Sequence, residues 1–269
     1  MATSRAPRVG LRALALGYLT VLVLVPVGYV IVHALKPGLG GVWDSLTTPA
    51  AQHAIQLTVE ITVIAVVLNT IFGMIAALVL ERTRSRARYA IDLLVDLPFA
   101  VSPVVVGLAL LLLYGRQGWL GPWLSDHGIR IIFSTPGMII ATVFVSVPFV
   151  AREVAPALRE AGTEQEQAAA TLGASRLQAF WRITLPTVRA ALAYGVVLTT
   201  ARALGEFGAV SVVSGRIAGE TVTLPLLVQQ RYENFDKTGA YVAAAFLAVI
   251  ALLVLLAMTV LSPGRRKTR

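Results

Sequence analysis

The sequence contains no cysteine, so disulfide staples and thiolate metal sites are both excluded. Charge is scarce as well: Asp, Glu, Lys and Arg make up 14% of the residues, against about 25% in an ordinary soluble domain. There are only three histidines, and His33, His53 and His127 all fall outside the long apolar runs or at their ends. No Ser–His pair is suggested at membrane depth and no H-E-x-x-H occurs, which leaves an intramembrane hydrolase without a base. A phosphate-cradling G-x-x-x-x-G-K-[ST] is missing too, so the chain has no nucleotide-hydrolysing loop of its own.

What is present is apolar. Hydrophobic residues make up 57% of the 269 and mean hydropathy is +0.76, which marks an integral membrane protein. The net charge of +9 does not form the face or stripe that nucleic acid requires. Its basic residues cluster at the ends of apolar runs, where they set topology.

Six runs are long enough to cross a bilayer. The first, Ala13 to Val32, follows Arg5, Arg8 and Arg12; its 20 uncharged residues exceed the roughly 7–15 of a secretory h-region, so it reads as a retained span. The others run from about Ile55 to Leu80, Ile91 to Tyr114 (interrupted by Pro98 and Pro103), Gly137 to Val154 (short, with Pro148), Val188 to Val213 and Tyr241 to Leu261. Trp119 and Trp123 suit a headgroup zone between the third and fourth. Residues 214–236 read as a polar connection. With both termini inside, cytoplasmic segments hold 16 basic residues and outer segments 6, with Arg202 left inside a span. That asymmetry predicts an all-α membrane protein of six transmembrane helices, N-in and C-in. It divides into a cytoplasmic segment 1–12, a membrane domain 13–261 and a basic tail 262–269.

One stretch breaks the apolar pattern without being a slack loop. Glu164 to Leu172 is rich in strong helix formers, and Gly173 can close that helix in the left-handed conformation. Ser175 with Gln178 forms a capping box that starts a second helix, on which Leu177, Phe180 and Trp181 share a face. Helix, glycine turn and amphipathic helix make a compact knob, within a cytoplasmic loop at about 156–186 between spans four and five. A plain amphipathic loop lying on the bilayer surface is the competing reading.

The knob resembles the EAA loop of binding-protein-dependent ABC importer permeases. That pattern is E-A-A, three residues, Gly, nine residues, then I-x-L-P. It falls here on Gln167, Ala168, Ala169, Gly173, Ile183, Leu185 and Pro186, with Gln167 in place of Glu and Glu166 just before it. The resemblance implies that Glu164, Glu166, Gln167, Ala168, Ala169, Gly173, Ala174 and Ser175 dock onto a separate cytoplasmic ATPase. Three longer stretches resemble the W-type (CysW-type) permease subunit of sulfate/thiosulfate importers: DLPFAVSPVVVG, EQEQAAATLGAS and ARALGEFGAVSVVSGRIAGETVTLPLLVQQRYENFD. Molybdate permeases share the loop and parts of GEFG, so the anion stays open at this point. The implied machine pairs this subunit with a second permease subunit in the bacterial inner membrane. Two ATPase subunits carrying ATP and Mg sit below, and an extracytoplasmic sulfate-binding protein delivers the ion; this chain binds no cofactor itself. The rival reading, a secondary transporter working alone, leaves the capped loop unexplained.

Polar groups inside the spans are candidates for the transport path. Arg202 and Glu206 lie four apart on the fifth span, either as an internal ion pair or as a path lining in which Arg202 tolerates an anion. Thr199, Thr200, Ser102 and Ser146 are candidate path hydroxyls. Asp92 and Asp96 read as partners for basic residues, and Glu60 and Asn69 as interhelical hydrogen-bonding groups.

Overall fold

The computed structural model describes residues 14, 16–83 and 86–261. The N-terminal segment 1–12, the tail 262–269 and Arg84 therefore lie outside the described residues. Among those residues the regular structure is entirely helical: α1 (Leu16–Leu35), α2 (Gly38–Leu46), α3 (Pro49–Arg82), α4 (Ala87–Ala100), α5 (Pro103–Tyr114), α6 (Gly121–Asp126), α7 (Thr135–Ala161), α8 (Glu164–Thr171), α9 (Arg176–Leu204), α10 (Gly208–Val213), α11 (Leu224–Glu233) and α12 (Lys237–Leu261). Of these, α1, α3, α7, α9 and α12 are long and apolar enough to cross a membrane. The bent pair α4–α5 is the sixth candidate.

The core is a three-helix stack with α7 in the middle. At Gly73 of α3 an added Cβ would lie 2.6 Å from Val150 Cβ, and at Gly195 of α9 it would lie 2.9 Å from Val150 Cα. Lipid supplies no hydrophobic drive between helices, so close backbone approach at small residues carries much of the packing. A fully buried Asn69 on α3 donates its amide N–H to Ser146 Oγ at 2.8 Å and to the Val143 carbonyl at 3.2 Å on α7. The expected interhelical role of Asn69 holds; Glu60 is exposed and has no hydrogen-bond partner among the described residues.

The fourth span is not short. It runs 27 residues, about 40 Å of helix, because its charged last turns are held by ion pairs across to neighbouring helices. Arg152 reaches Asp92 at 2.7 Å and Asp96 at 2.6 Å on α4, and Arg159 reaches Glu81 at 2.7 Å on α3. Hydropathy alone treats such residues as loop. The helix thus continues to Ala161, inside the stretch expected as connecting loop.

The third span breaks at Val101–Ser102, where α4 and α5 diverge by 112°. Pro98 stays inside α4. The break belongs to Pro103: the residues ahead of it, Val101 and Ser102, are extended (ψ 133° and 135°), as a following proline demands. Pro103 itself sits in the first turn of α5, where its missing N–H costs nothing.

The second knob helix is not separate from the fifth span. It starts at Arg176 and runs on through a π turn at Phe180–Thr184 into the spanning part of α9. In that turn Leu185 N–H bonds to the Phe180 carbonyl, a wider register that carries the helix up to Pro186. At the far end α9 stops at Leu204, and the chain resumes as α10 only after Gly205–Phe207. Arg202 and Glu206 are thus not on one helix face: Glu206 lies in the interruption.

Nor is the 214–236 connection simply polar. Thr223 opens α11, whose Leu224, Pro225, Leu226 and Leu227 are buried against Leu57, Ile61 and Val145. Thr58 Oγ1 accepts the Leu224 N–H at 2.8 Å. Arg231, at the other end, bonds Ser45 Oγ and the Gly239 carbonyl through Nη1, and the Ser45 carbonyl and Thr48 Oγ1 through Nη2. That one side chain ties α2, α3, α11 and α12 together. Helix α1 stands outermost, held to α12 by Tyr29 and His33 against Tyr241 (ring centroids 6.0 and 5.2 Å).

Candidate functional site

The knob between α7 and α9 is built from backbone capping. At the end of α8, Gly173 has φ +86°, with its N–H on the Ala170 carbonyl and the Ala174 N–H on the Ala169 carbonyl. This is the Schellman closure, and it satisfies carbonyls that a helix end leaves orphaned. Two residues on, Ser175 Oγ accepts the Gln178 N–H at 3.3 Å, while Gln178 Oε1 accepts the Ser175 N–H at 2.9 Å. Two helices are therefore closed and opened within three residues. Glu164 and Glu166 in the first turn of α8 complement its dipole.

Most of the knob faces outward. Glu164, Gln167, Ala168, Gly173 and Ser175 are exposed; Ala169 and Ala174 are half-buried. Leu172 is 89% exposed, Leu177 68% and Trp181 59%. Three large apolar side chains around one capped turn are poorly placed for water and form a patch suited to a protein partner or a bilayer surface. Phe180, expected with Leu177 and Trp181, instead packs inward on the cluster around Val150, Val154 and Val188.

Glu166 also points the other way. Its Oε1 accepts from Arg82 Nη2 at 3.1 Å and from Thr184 Oγ1 at 2.8 Å. Arg82 in turn donates to the Gly162 and Leu158 carbonyls at 2.7 and 3.3 Å. The end of α3, the end of α7, the start of α8 and the π turn of α9 thus meet on one Arg–Glu–Thr knot. Sequence reasoning missed this knot, because Arg82 reads as one more topology charge and only the fold brings it beside residue 166.

The candidate path residues separate into two groups. Ser146 and Thr199 are buried, and with Thr200 their hydroxyls donate to carbonyls one turn back on their own helices. Ser102 and Arg202, by contrast, line one open cleft beside the α4–α5 break. Arg202 Nη1 pairs with Glu206 Oε2 at 2.6 Å, and Glu206 Oε1 accepts the Ala209 N–H at 2.8 Å. Among the described residues no group of His, Asp and Glu could hold a metal ion.

Comparison with known proteins follows the same lines. Residues 69–267 match the model of the family described as binding-protein-dependent transport system inner membrane component. The chain is 50% identical over 255 residues (94% of this chain, 89% of the relative) to the sulfate transport system permease protein CysW of Synechococcus elongatus. It is 36% identical over 244 residues (91% and 88%) to the CysT permease protein of the same organism. In fold it is similar to a chain of a bacterial ABC transporter involved in import of the acidic polysaccharide alginate. That match has TM-score 0.78 at 20% identity, covering 97% of this chain and 95% of that one.

Proposed function

The chain belongs to the binding-protein-dependent transport system inner membrane component family, and from that premise we propose that it is the W-type permease subunit of an ATP-driven importer of sulfate and thiosulfate. The observation that carries this reading is half identity, over nearly the full length of both chains, to a sulfate transport system permease. The second permease subunit is a T-type relative, a sister chain that shares this chain's architecture, and the two pair in the bacterial inner membrane. An extracytoplasmic binding protein delivers the anion. Two cytoplasmic ATPase subunits bind and hydrolyse ATP with Mg.

In this reading the outward face of the knob, from Glu164 to Ser175 with Leu172, Leu177 and Trp181, seats in the ATPase. Closure of the ATPase pair pushes on α8. The Arg82–Glu166–Thr184 knot then passes that push to α3, α7 and α9 together, since all three converge on it. Rigid three-helix packing at Gly73, Val150 and Gly195 turns a local displacement into movement of the whole stack.

The test is radiolabelled sulfate uptake by cells lacking this gene in a background without any other sulfate route, with and without the gene restored, and with excess molybdate as competitor. Loss and rescue with molybdate a poor competitor is the expected result. Unchanged sulfate uptake in the deletion strain, or complete suppression by molybdate, would move the substrate to another oxyanion.

A further inference from the structure

The α4–α5 break opens a cleft of about 390 Å³ lined by Pro98, Ser102, Pro103, Val145, Phe149 and Arg202 among others. Val145 and Phe149 lie at the middle of α7, so the cleft opens part-way along the helix stack and away from its ends. Two interrupted spans meet there: the Cβ of Pro103, at the start of α5, lies 2.8 Å from where a Cβ on Gly208, at the start of α10, would stand. Irregular backbone at that depth is tolerated where it lines a cavity.

The ion pair in the cleft is one-sided. Glu206 is 2% exposed at its side chain and Arg202 is 30%, so the carboxylate lies behind and the guanidinium in front. The Ala209 N–H holds the second Glu206 oxygen, which keeps the acid from swinging out. A guanidinium carries five N–H donors in a planar fork suited to oxyanions. The Nε and Nη2 of Arg202 make no hydrogen bond among the described residues, and Arg202 lines the cleft. Ser102 is exposed, and its hydroxyl makes no capping bond to the first turn of α5. Ser102 and Pro103, at the N-terminal end of the 12-residue α5, both line the cleft. No carboxylate lines the cleft, and its other side chains are apolar.

We propose that this cleft is a transient station for a tetrahedral oxyanion crossing the membrane, with Arg202 and Ser102 as its ligands and Glu206 as the residue that positions Arg202. The proposal rests on the sulfate reading above. Because Glu206 cancels the charge of Arg202, the anion meets free donors without a full unpaired charge. It is held strongly enough to enter and weakly enough to leave. Ser146, Thr199 and Thr200 take no part in the station.

The experiment uses the complete complex, with its second permease, ATPase and binding protein, in proteoliposomes, and reads both radiolabelled sulfate uptake and binding-protein-stimulated ATP hydrolysis. Ser102→Asp places a fixed anion in the station, yet Asp is a favourable N-cap for α5, so the fold is kept. The expected result is a fall in uptake of about tenfold or more with stimulated ATP hydrolysis retained. The double variant Arg202→Gln with Glu206→Gln removes both charges and so leaves no buried ion unpaired. Uptake is again expected to fall while hydrolysis persists. Wild-type uptake in either variant overturns the station, since Arg202 would then be only a counter-ion to Glu206. Should the double variant fail to assemble, Ser102→Asp decides alone, because it alters an exposed side chain with no bonding partner. A wild-type complex that carries molybdate and not sulfate overturns the substrate reading instead, and the same variants measured on molybdate then judge the station.

Discussion

Single side chains join elements that lie far apart in this chain. Glu166 shows how: one carboxylate oxygen receives both an arginine from α3 and a threonine from α9. Charge-assisted bonds of this kind contribute on the order of 1–3 kcal/mol when shielded, less here because the Glu166 side chain is 25% exposed. Glu166→Gln keeps the shape and removes the charge. It is expected to leave the ATPase bound, since the outward face is intact, but to lower uptake per ATP hydrolysed. Measuring both rates in one reconstituted complex checks this, and an unchanged ratio would show that the push travels elsewhere. Residue identity in the sequence announced a helix-forming acid at 166. It did not announce Arg82 as its partner, 84 positions away.

At the scale of elements, the knob is legible because it is local. Schellman closure, left-handed glycine and capping box all lie within a few residues, and all appear as the sequence predicts. A Cβ at Gly173 would meet nothing within 4 Å, so a substitution acts through backbone strain and charge and not through a clash. A non-glycine residue in the left-handed region costs roughly 1–2 kcal/mol, with Asn and Asp at the lower end. Gly173→Asp is therefore expected to insert normally but to lose the ATPase on co-purification, while Gly173→Asn, without the charge, retains part of it. Equal co-purification of ATPase with wild-type and Gly173→Asp would remove the docking role from this turn. Elements whose ends depend on distant partners were harder to read. The last turns of α7 are helical because Asp92, Asp96 and Glu81 neutralise its arginines, and hydropathy cannot see those partners. The buried start of α11 was missed for a similar reason: its proline, the threonines before it and the flanking charges resemble a surface connection.

For the whole molecule, α7 is the axle. It touches α3 on one side and α9 on the other at glycines that leave no space for a side chain. Gly195→Leu would force Val150 and Phe149 away and separate α9 from α7. Overpacking of this size typically costs about 1–3 kcal/mol. The expected outcome is a lower Tm of the detergent-purified complex and loss of uptake even though the knob itself is unchanged. A variant with wild-type Tm and transport would mean that the stack is looser than its packing implies.

Composition and pattern alone determined that this is a multi-span helical membrane protein, where its apolar runs lie, and that a capped helical knob interrupts them. Those properties follow from short-range chemistry: hydropathy over about 20 residues, helix propensity and capping within a turn or two. Tertiary structure decided the rest. It bent the third span at Ser102, moved Glu206 off the helix, turned Glu166 inward and set Ser102 beside Arg202. The inward turn of Glu166 and the meeting of Ser102 with Arg202 depend on partners dozens of positions away, and buried polar groups in lipid must find such partners in three dimensions because no water is there to supply them.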